Sequence, residues 1–133
     1  MNETPAKVGV VYPPAPTQAL IELVGAATTK YLLFSGELLD AGEALRVGLV
    51  DRLLPAGELD AEVHRFADVL ASRSALSQRA TKQVVGDLVA GRDAEATAAR
   101  WFRETIATGE LAEGVAAFTA RRAPAFGWTG HPG

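Results

Sequence analysis

The chain has 133 residues, enough for one domain, and 48% of them are hydrophobic, which is sufficient to form a core. Its 13 basic and 16 acidic residues give a net charge of −3, so the composition offers no broad cationic surface for nucleic acid or an anionic membrane. The chain has no cysteine, which excludes a disulfide framework and a thiolate nucleophile. We expect a cytoplasmic protein, because the first apolar run, Val8 to Tyr12, is too short for a signal sequence or a membrane span.

The first part of the chain predicts short elements. The valine-rich run Val8 to Tyr12 is typical of a strand, and the three prolines at 13, 14 and 16 predict a loop because proline interrupts helices and sheets. Leu49 to Leu54 is a second candidate strand. Either the two strands pair with each other or the rest of their sheet lies elsewhere, since an isolated strand is not stable in water. Three short helices are predicted at Thr17 to Val24, Thr28 to Phe34 and Asp40 to Val47.

The rest of the chain predicts four helices, because apolar residues recur every three or four positions. They run from about Glu58 to Ser72, from a cap at Ser74 to Gly91, from a cap at Asp93 to Gly109, and from Glu110 to about Arg122. We expect Trp101, Phe102 and Ile106 to form the buried side of the third helix, or a contact between subunits. The predicted fold class is therefore mainly α with one or two short strands.

Few residues suggest a self-contained active site. His64 and His131 have no third ligand at metal-binding spacing, so we expect surface histidines and no metal site. The segment 25–30 superficially resembles a phosphate loop, but it lacks the second glycine and the hydroxyl residue that such loops carry. The carboxylates Glu37, Asp40 and Glu43 cluster where a short helix begins. We expect them to cap this helix and complement its dipole rather than to perform acid–base chemistry.

Two arginines at the end of the fourth helix allow two interpretations. Arg121 and Arg122 can offset the partial negative charge of the helix C-terminus and cap its free carbonyl groups. They can also form an anion site, because a guanidinium pair beside Phe118 and Phe126 is able to hold a phosphate while a ring stacks on a base.

The segment from Phe34 to Pro55 closely resembles the L-T-G-x-x-x-x-A-x-E-A-x-x-x-G-L-V-x-x-V-x-P signature of the crotonase, or enoyl-CoA hydratase/isomerase, superfamily. Residues 9–25 are similar to the strand, loop and helix that precede it in the family. Lys82 falls at the family's A-K segment, and residues 113–126 resemble its E-G-x-x-A-F-x-x-K-R-x-P-x-F ending. The resemblance covers nearly the whole chain but only the C-terminal helical half of the crotonase α/β fold, so we expect the N-terminal sheet half to be absent.

The resemblance implies that this chain carries no catalytic residue. Crotonase-like enzymes polarise a thioester carbonyl with two backbone N–H donors, each worth about 3 kcal/mol, and both belong to the missing half. Hydratases of the family also use two glutamates, of which the first lies in that half. The second matches Pro5 here, and Glu3 is two places out of register, which displaces it by about 6 to 7 Å along a strand.

The resemblance also implies an accessory site and an assembly. Phe118 and Arg121, with Arg122 adjacent, match positions that contact the adenine and phosphate end of coenzyme A, which is part of the substrate rather than a cofactor. The expected partners are an acyl-CoA or CoA, bound weakly, and further copies of the chain in a trimer or hexamer. Residues 1–16 would form a strand and proline-rich loop at the truncated edge, and residues 17–133 a helical oligomerisation and acyl-CoA lid region.

Three functional hypotheses remain open at this point. The leading one is a C-terminal part of an enoyl-CoA hydratase/isomerase, inactive as this isolated chain. The second is a non-catalytic helical module for oligomerisation or interaction. The third is a subunit whose catalytic site is completed by a separate N-terminal chain.

Overall fold

The computed structural model describes residues 5–130, and within that range it contains seven α-helices and no strand. The chain divides after Glu58 into two compact units. The first contains α1 to α3 and the second α4 to α7. In chain order the helices are α1 Pro5–Val8, α2 Pro14–Ser35, α3 Ala41–Arg46, α4 Leu59–Ala71, α5 Ala75–Val89, α6 Glu95–Ala107 and α7 Glu110–Thr119.

The first unit is built around α2, which packs against α1. Gly25 interrupts α2 with φ 77° and ψ 163°, a conformation that glycine adopts without steric cost. The two helical pieces on either side of this kink correspond to the two short helices predicted there. The C-terminal end of α2 is fixed by Lys7, whose Nζ donates to the carbonyl oxygen of Gly36 at 2.7 Å.

Both predicted strands are wrong within the described residues. Val8 ends α1, the residues after it have no regular structure, and Val11 is 95% exposed. In the second segment, the N–H groups of Leu49 and Val50 donate to the carbonyl oxygen of Ala44, at 2.9 and 3.4 Å. Neither segment has a neighbouring strand, so its backbone groups bond locally or face water instead of forming a ladder.

The prolines also behave differently from the prediction. Pro14 and Pro16 begin α2 rather than a loop. Proline is tolerated in the first turn of a helix because the N–H groups there have no partner within the helix. The proline-rich stretch therefore starts a long helix.

The four predicted helices of the second unit are confirmed, with α5 packed on α6 and α6 packed on α7. Ser74 caps α5 as predicted, accepting a hydrogen bond from the N–H of Ser77 at 3.1 Å. The predicted cap at Asp93 is wrong, since the residue before α6 is Ala94 and its side chain makes no cap bond; Asp93 instead accepts from the N–H of Glu95 at 2.9 Å. Leu76, which is fully buried, and Trp101 and Ala117, which are nearly so, form the core of this unit.

Many large side chains on the apolar faces of these helices stay exposed. Trp101 is buried as expected, but Phe102 and Ile106 are 60% and 56% exposed on the same helix. The apolar stripe of α4 is also 40 to 60% exposed; its members are Leu59, Val63, Phe66 and Leu70. Periodicity identified the apolar face of each helix but not whether another layer covers it.

None of the helices among residues 5–130 combines the length and the apolar character that a bilayer crossing requires.

Candidate functional site

The chain reverses direction after α7. Arg121 adopts the left-handed conformation with φ 51°, and it is the one non-glycine residue of the described chain with positive φ. The N–H of Arg121 donates to the carbonyl oxygen of Phe118, and that of Arg122 to Ala117. These bonds close the end of α7 at Thr119, three residues before the predicted end, because a residue in this conformation cannot continue a right-handed helix.

Glu113 anchors the segment that returns after this turn. Its carboxylate accepts two bonds from the guanidinium of Arg122, at 2.6 and 2.8 Å, and a third from the N–H of Ala125 at 2.6 Å. These donors stabilise the charged carboxylate, and Arg122 has the largest effect. The pKa of the Glu113 carboxyl therefore falls to about 2. Glu113 therefore fixes the return segment against α7.

Glu110, one turn earlier, makes a second anchor. It is 5% exposed, and its Oε1 accepts from the N–H groups of Gly127 and Trp128, each at 3.0 Å. Its Oε2 accepts from the hydroxyl of Ser74 at 2.5 Å. One carboxylate thus connects the start of α5, the start of α7 and the end of the return segment.

Gly114 of α7 faces the Phe126 ring of the return segment. A Cβ at this position would lie 3.8 Å from Cε1 of the Phe126 ring, which is ordinary van der Waals contact. In the ending motif, Glu113 has a structural role as the anchor, whereas Gly114 leaves space that a methyl group could fill. The sequence pattern does not predict that Glu113 anchors the return segment. The signal available for it is a pair of acidic residues three apart in the first turn of α7, Glu110 and Glu113, followed by Arg122 and Pro124.

Two cavities border Phe126 in this region. The first has a volume of about 650 Å³ and is lined by Arg73, Ser74, Ser77, Gln78, Thr81, Lys82, Pro124 and Phe126. The second, of about 300 Å³, also includes Ser74, Ser77 and Phe126, and Phe118 lies in its wall. The structure therefore places Phe118 and Lys82 at neighbouring cavities.

The two candidate arginines differ in their surroundings. Neither lines these two cavities. Arg122 is engaged by Glu113, which raises the pKa of its guanidinium, although 45% of its side chain stays exposed. Arg121 is exposed, and its side chain makes no ion pair or hydrogen bond within residues 5–130. Arg121 is thus the cation of this pair that remains available to a ligand.

The other candidate residues have local roles. Asp40 caps α3 as expected, accepting from the N–H of Glu43 at 2.8 Å, and Glu43 pairs with Arg46, which lowers the pKa of the Glu43 carboxyl. Glu37 accepts a hydrogen bond from the hydroxyl of Tyr31. The phosphate-loop-like segment 25–30 lies within α2.

The sequence predicts surface histidines rather than metal ligands at positions 64 and 131. The Nδ1 of His64 lies 2.7 Å from the carbonyl oxygen of Asp60 on α4. His131 lies outside the described residues. Among the residues that are described, no three potential ligands cluster in a way that would hold a metal ion.

Comparisons with known proteins agree with the resemblance noted in the sequence. A family model for enoyl-CoA hydratase/isomerase matches residues 2–129. The chain is 34% identical over 122 residues to a probable enoyl-CoA hydratase of Mycobacterium tuberculosis, covering 90% of this chain and 48% of that protein. It is 33% identical over 107 residues to a short-chain-enoyl-CoA hydratase of Clostridioides difficile, covering 77% of this chain and 67% of that protein.

Solved structures give the same picture. An enoyl-CoA hydratase/isomerase family protein from Hyphomonas neptunium superimposes with a TM-score of 0.86 at 36% identity, covering 95% of this chain and 48% of that one. An enoyl-CoA hydratase from Bacillus anthracis superimposes with a TM-score of 0.83 at 25% identity and the same share of its own length. The match lies in the C-terminal half of the crotonase fold, so the chain spans about half of these proteins. This chain belongs to the enoyl-CoA hydratase/isomerase family of the crotonase superfamily.

Proposed function

We propose that this chain supplies the C-terminal, CoA-facing part of an enoyl-CoA hydratase/isomerase that acts on acyl-CoA thioesters, and that it is not catalytic by itself. The observation that carries the proposal is the arrangement at the end of α7. Phe118 is 86% exposed and Arg121 is exposed and unpaired within residues 5–130, while Glu113 holds the segment that follows them. The ending motif thus presents one aromatic ring and one cation from a fixed turn.

This pair of side chains suits the nucleotide end of coenzyme A. The ring of Phe118 can stack on an adenine, and the guanidinium of Arg121 can pair with a phosphate. The site follows a helix C-terminus, whose partial negative charge repels anions, so the attraction must come from the guanidinium group. A charge-assisted bond gives about 1.5 to 3 kcal/mol when sheltered and much less in open water. We therefore expect the isolated chain to bind CoA no more tightly than about millimolar.

Arg122 has a smaller share in this proposal. Its guanidinium already pairs with Glu113, so a phosphate would have to compete with that carboxylate. We assign Arg122 mainly the positioning of the turn that carries Arg121, with its exposed part adding positive charge nearby.

The proposed lack of catalysis follows from the residues at the matched positions. The second family glutamate corresponds to Pro5, where α1 begins, and proline offers no group for proton transfer. Addition of water to an enoyl-CoA, or proton shuttling on an acyl-CoA, would belong to the whole protein. A separate N-terminal chain that completes the site is the alternative arrangement.

Self-association is a second proposed role, favoured by the exposed apolar side chains. Phe66, Phe102, Ile106, Val115 and Phe118 are each 49 to 86% exposed in the second unit. Soluble monomers seldom leave so much apolar surface in contact with water. We propose that the chain forms a homo-oligomer, a trimer or hexamer, in which contacts between subunits cover part of this surface. We further propose that the protein is cytoplasmic and acts in fatty acid metabolism.

Calorimetric titration of CoA into the chain tests the proposed site. We expect weak binding that Arg121→Ala abolishes and that 3′-phosphoadenosine reproduces without the pantetheine arm. Arg103→Ala is the matched control, because it also removes one exposed cation of the second unit, but from α6 rather than from the turn after α7. Equal CoA affinity in Arg121→Ala and the parent chain would refute a role for Arg121 in CoA binding.

A further inference from the structure

The second unit has another cavity, of about 280 Å³, which shares no residue with the two cavities at Phe126. It lies between α5, α6 and the end of the return segment. Its main lining residues are Arg79 and Gln83 from α5, Arg100, Trp101 and Glu104 from α6, and Trp128. Trp101 and Trp128 are the two tryptophans of the chain, so both indole rings border this one cavity.

The aromatic rings position the two arginines of the cavity. The guanidinium carbon of Arg100 lies 4.5 Å from the ring centroid of Trp101, and that of Arg79 lies 6.0 Å from the ring of Trp128. The two indole rings meet edge to face, with centroids 6.0 Å apart. Cation–π contacts at these distances restrict where the guanidinium groups lie.

Gln83 links the same group of side chains. Its Oε1 accepts one bond from Arg100 at 2.8 Å and another from Nε1 of Trp101 at 2.9 Å. The amide oxygen has therefore used its two acceptor positions. Further donors in the cavity must find their acceptors elsewhere.

The residues that line the cavity carry more positive than negative charge, and one of them, Trp128, has an unpartnered buried donor. The lining residues Arg79, Arg100 and Glu104 carry a net charge of +1, and neither arginine makes an ion pair within residues 5–130. The nearby carboxylate of Asp87 accepts bonds from Thr97 and Arg92, and these two, with a smaller contribution from Arg100, lower its pKa. The Nε1 of Trp128 is buried and lacks a hydrogen-bond partner in the same range. A buried donor without an acceptor is costly, so a bound acceptor group would stabilise this arrangement.

We propose that this cavity binds a small oxyanion, either a phosphate or a carboxylate group, between the guanidinium groups of Arg79 and Arg100. Guanidinium groups match the pairs of oxygens that both anions present, and the indole rings hold the two guanidinium groups beside the cavity. Because its residues are separate from Phe118 and Arg121, the proposal stands independently of the CoA-facing role.

Tryptophan fluorescence of the full chain tests the proposal directly, because both fluorophores border the cavity. We expect inorganic phosphate or acetate to cause a saturable change that sodium chloride at equal ionic strength does not. Saturation by one and not the other identifies which oxyanion the cavity prefers. A response to neither anion, or an equal response to chloride, would overturn the proposal.

Three variants give the site a signature that a structural role would not produce. Arg79→Gln and Arg100→Gln should each weaken the anion affinity about tenfold, since each removes a charge-assisted contact. Glu104→Gln should strengthen it a few-fold, because it removes the opposing negative charge. Arg103→Gln on the same helix should leave it unchanged. Circular dichroism checks that each variant folds, and unaltered affinity in both arginine variants would refute the assignment.

Discussion

Arg122 and Glu113 form a two-pronged ion pair across the turn that ends α7, with both guanidinium nitrogens within 2.8 Å of carboxylate oxygens. The same carboxylate also accepts the N–H of Ala125, so it joins side-chain and backbone groups of the return segment. Phe118 and Arg121 lie just before this anchored stretch. Their placement for a ligand therefore depends on Glu113, which does not itself contact that ligand in our proposal.

Because of Glu113, the free energy of unfolding should depend on pH in the acidic range. Its carboxyl has a pKa of about 2 in the folded chain, against 4.5 for the unperturbed group. The folded pKa is the lower one, so the stabilisation is fully present above 4.5 and is lost as the pH falls toward about 2.

Thermal unfolding of the parent chain and Glu113→Gln checks this at about pH 6 and about pH 3. At the higher pH we expect the variant to unfold at a lower temperature than the parent chain. At the lower pH we expect the gap between the two unfolding temperatures to become smaller. Glu58→Gln, which removes an exposed carboxylate, is the control and should show little gap at either pH. A gap for Glu113→Gln that stays constant with pH would contradict the assigned role.

Gly114 should accept alanine but not a large side chain. The added methyl group would make ordinary contact with Phe126, and alanine is the better helix former by about 0.5 to 1 kcal/mol. Gly114→Ala should therefore unfold at the same or higher denaturant concentration than the parent, whereas Gly114→Leu should displace the Phe126 ring and lower the midpoint. Equal stability of the two variants would show that Phe126 does not pack there in solution.

Leu76 should be the most sensitive apolar position of the second unit. It is fully buried, so Leu76→Ala would leave a cavity and cost about 2 to 5 kcal/mol in the free energy of unfolding. Leu88, on the same helix, is 62% exposed, and Leu88→Ala should cost less than about 1 kcal/mol. Urea unfolding measures both, and similar losses would place the core elsewhere.

Self-association should depend on the exposed apolar residues of α6. In sedimentation velocity we expect the parent chain to form oligomers, and Phe102→Lys combined with Ile106→Lys to reduce them, because the two lysines add charge to the contact surface. Val11→Lys changes a residue that is 95% exposed outside the helices and serves as the control. A parent chain that sediments as a compact monomer and binds no hydrophobic dye would refute this prediction.

The sequence predicted the parts of the fold that depend on local pattern. Apolar spacing identified α4 to α7, and the serine before α5 is a cap that any chain segment can form alone. The strand at Val8–Tyr12 was wrong because strand formation depends on a neighbour that the pattern does not reveal. The exposure of Phe102 and Ile106 likewise depends on which other layers are present.

The candidate site was only partly predictable for a similar reason. Phe118, Arg121 and Arg122 were singled out from the motif, but their separation into an available cation and a paired one depends on Glu113, nine residues from its partner. The contact of Glu110 with Ser74 joins residues 36 positions apart. Such pairings follow from how helices pack, which single-sequence periodicity does not determine.

The central claim of our proposal is that this chain does not by itself perform the chemistry of the family, although it carries a site for coenzyme A. The most direct measurement follows the ultraviolet absorbance of the conjugated thioester of crotonyl-CoA in the presence of purified chain that is free of host hydratase. We predict that the absorbance stays at the uncatalysed rate, because the family resemblance matches the second glutamate to Pro5 and assigns the oxyanion donors to the half of the fold outside the match. A loss of absorbance above that rate, proportional to chain concentration, would contradict the account.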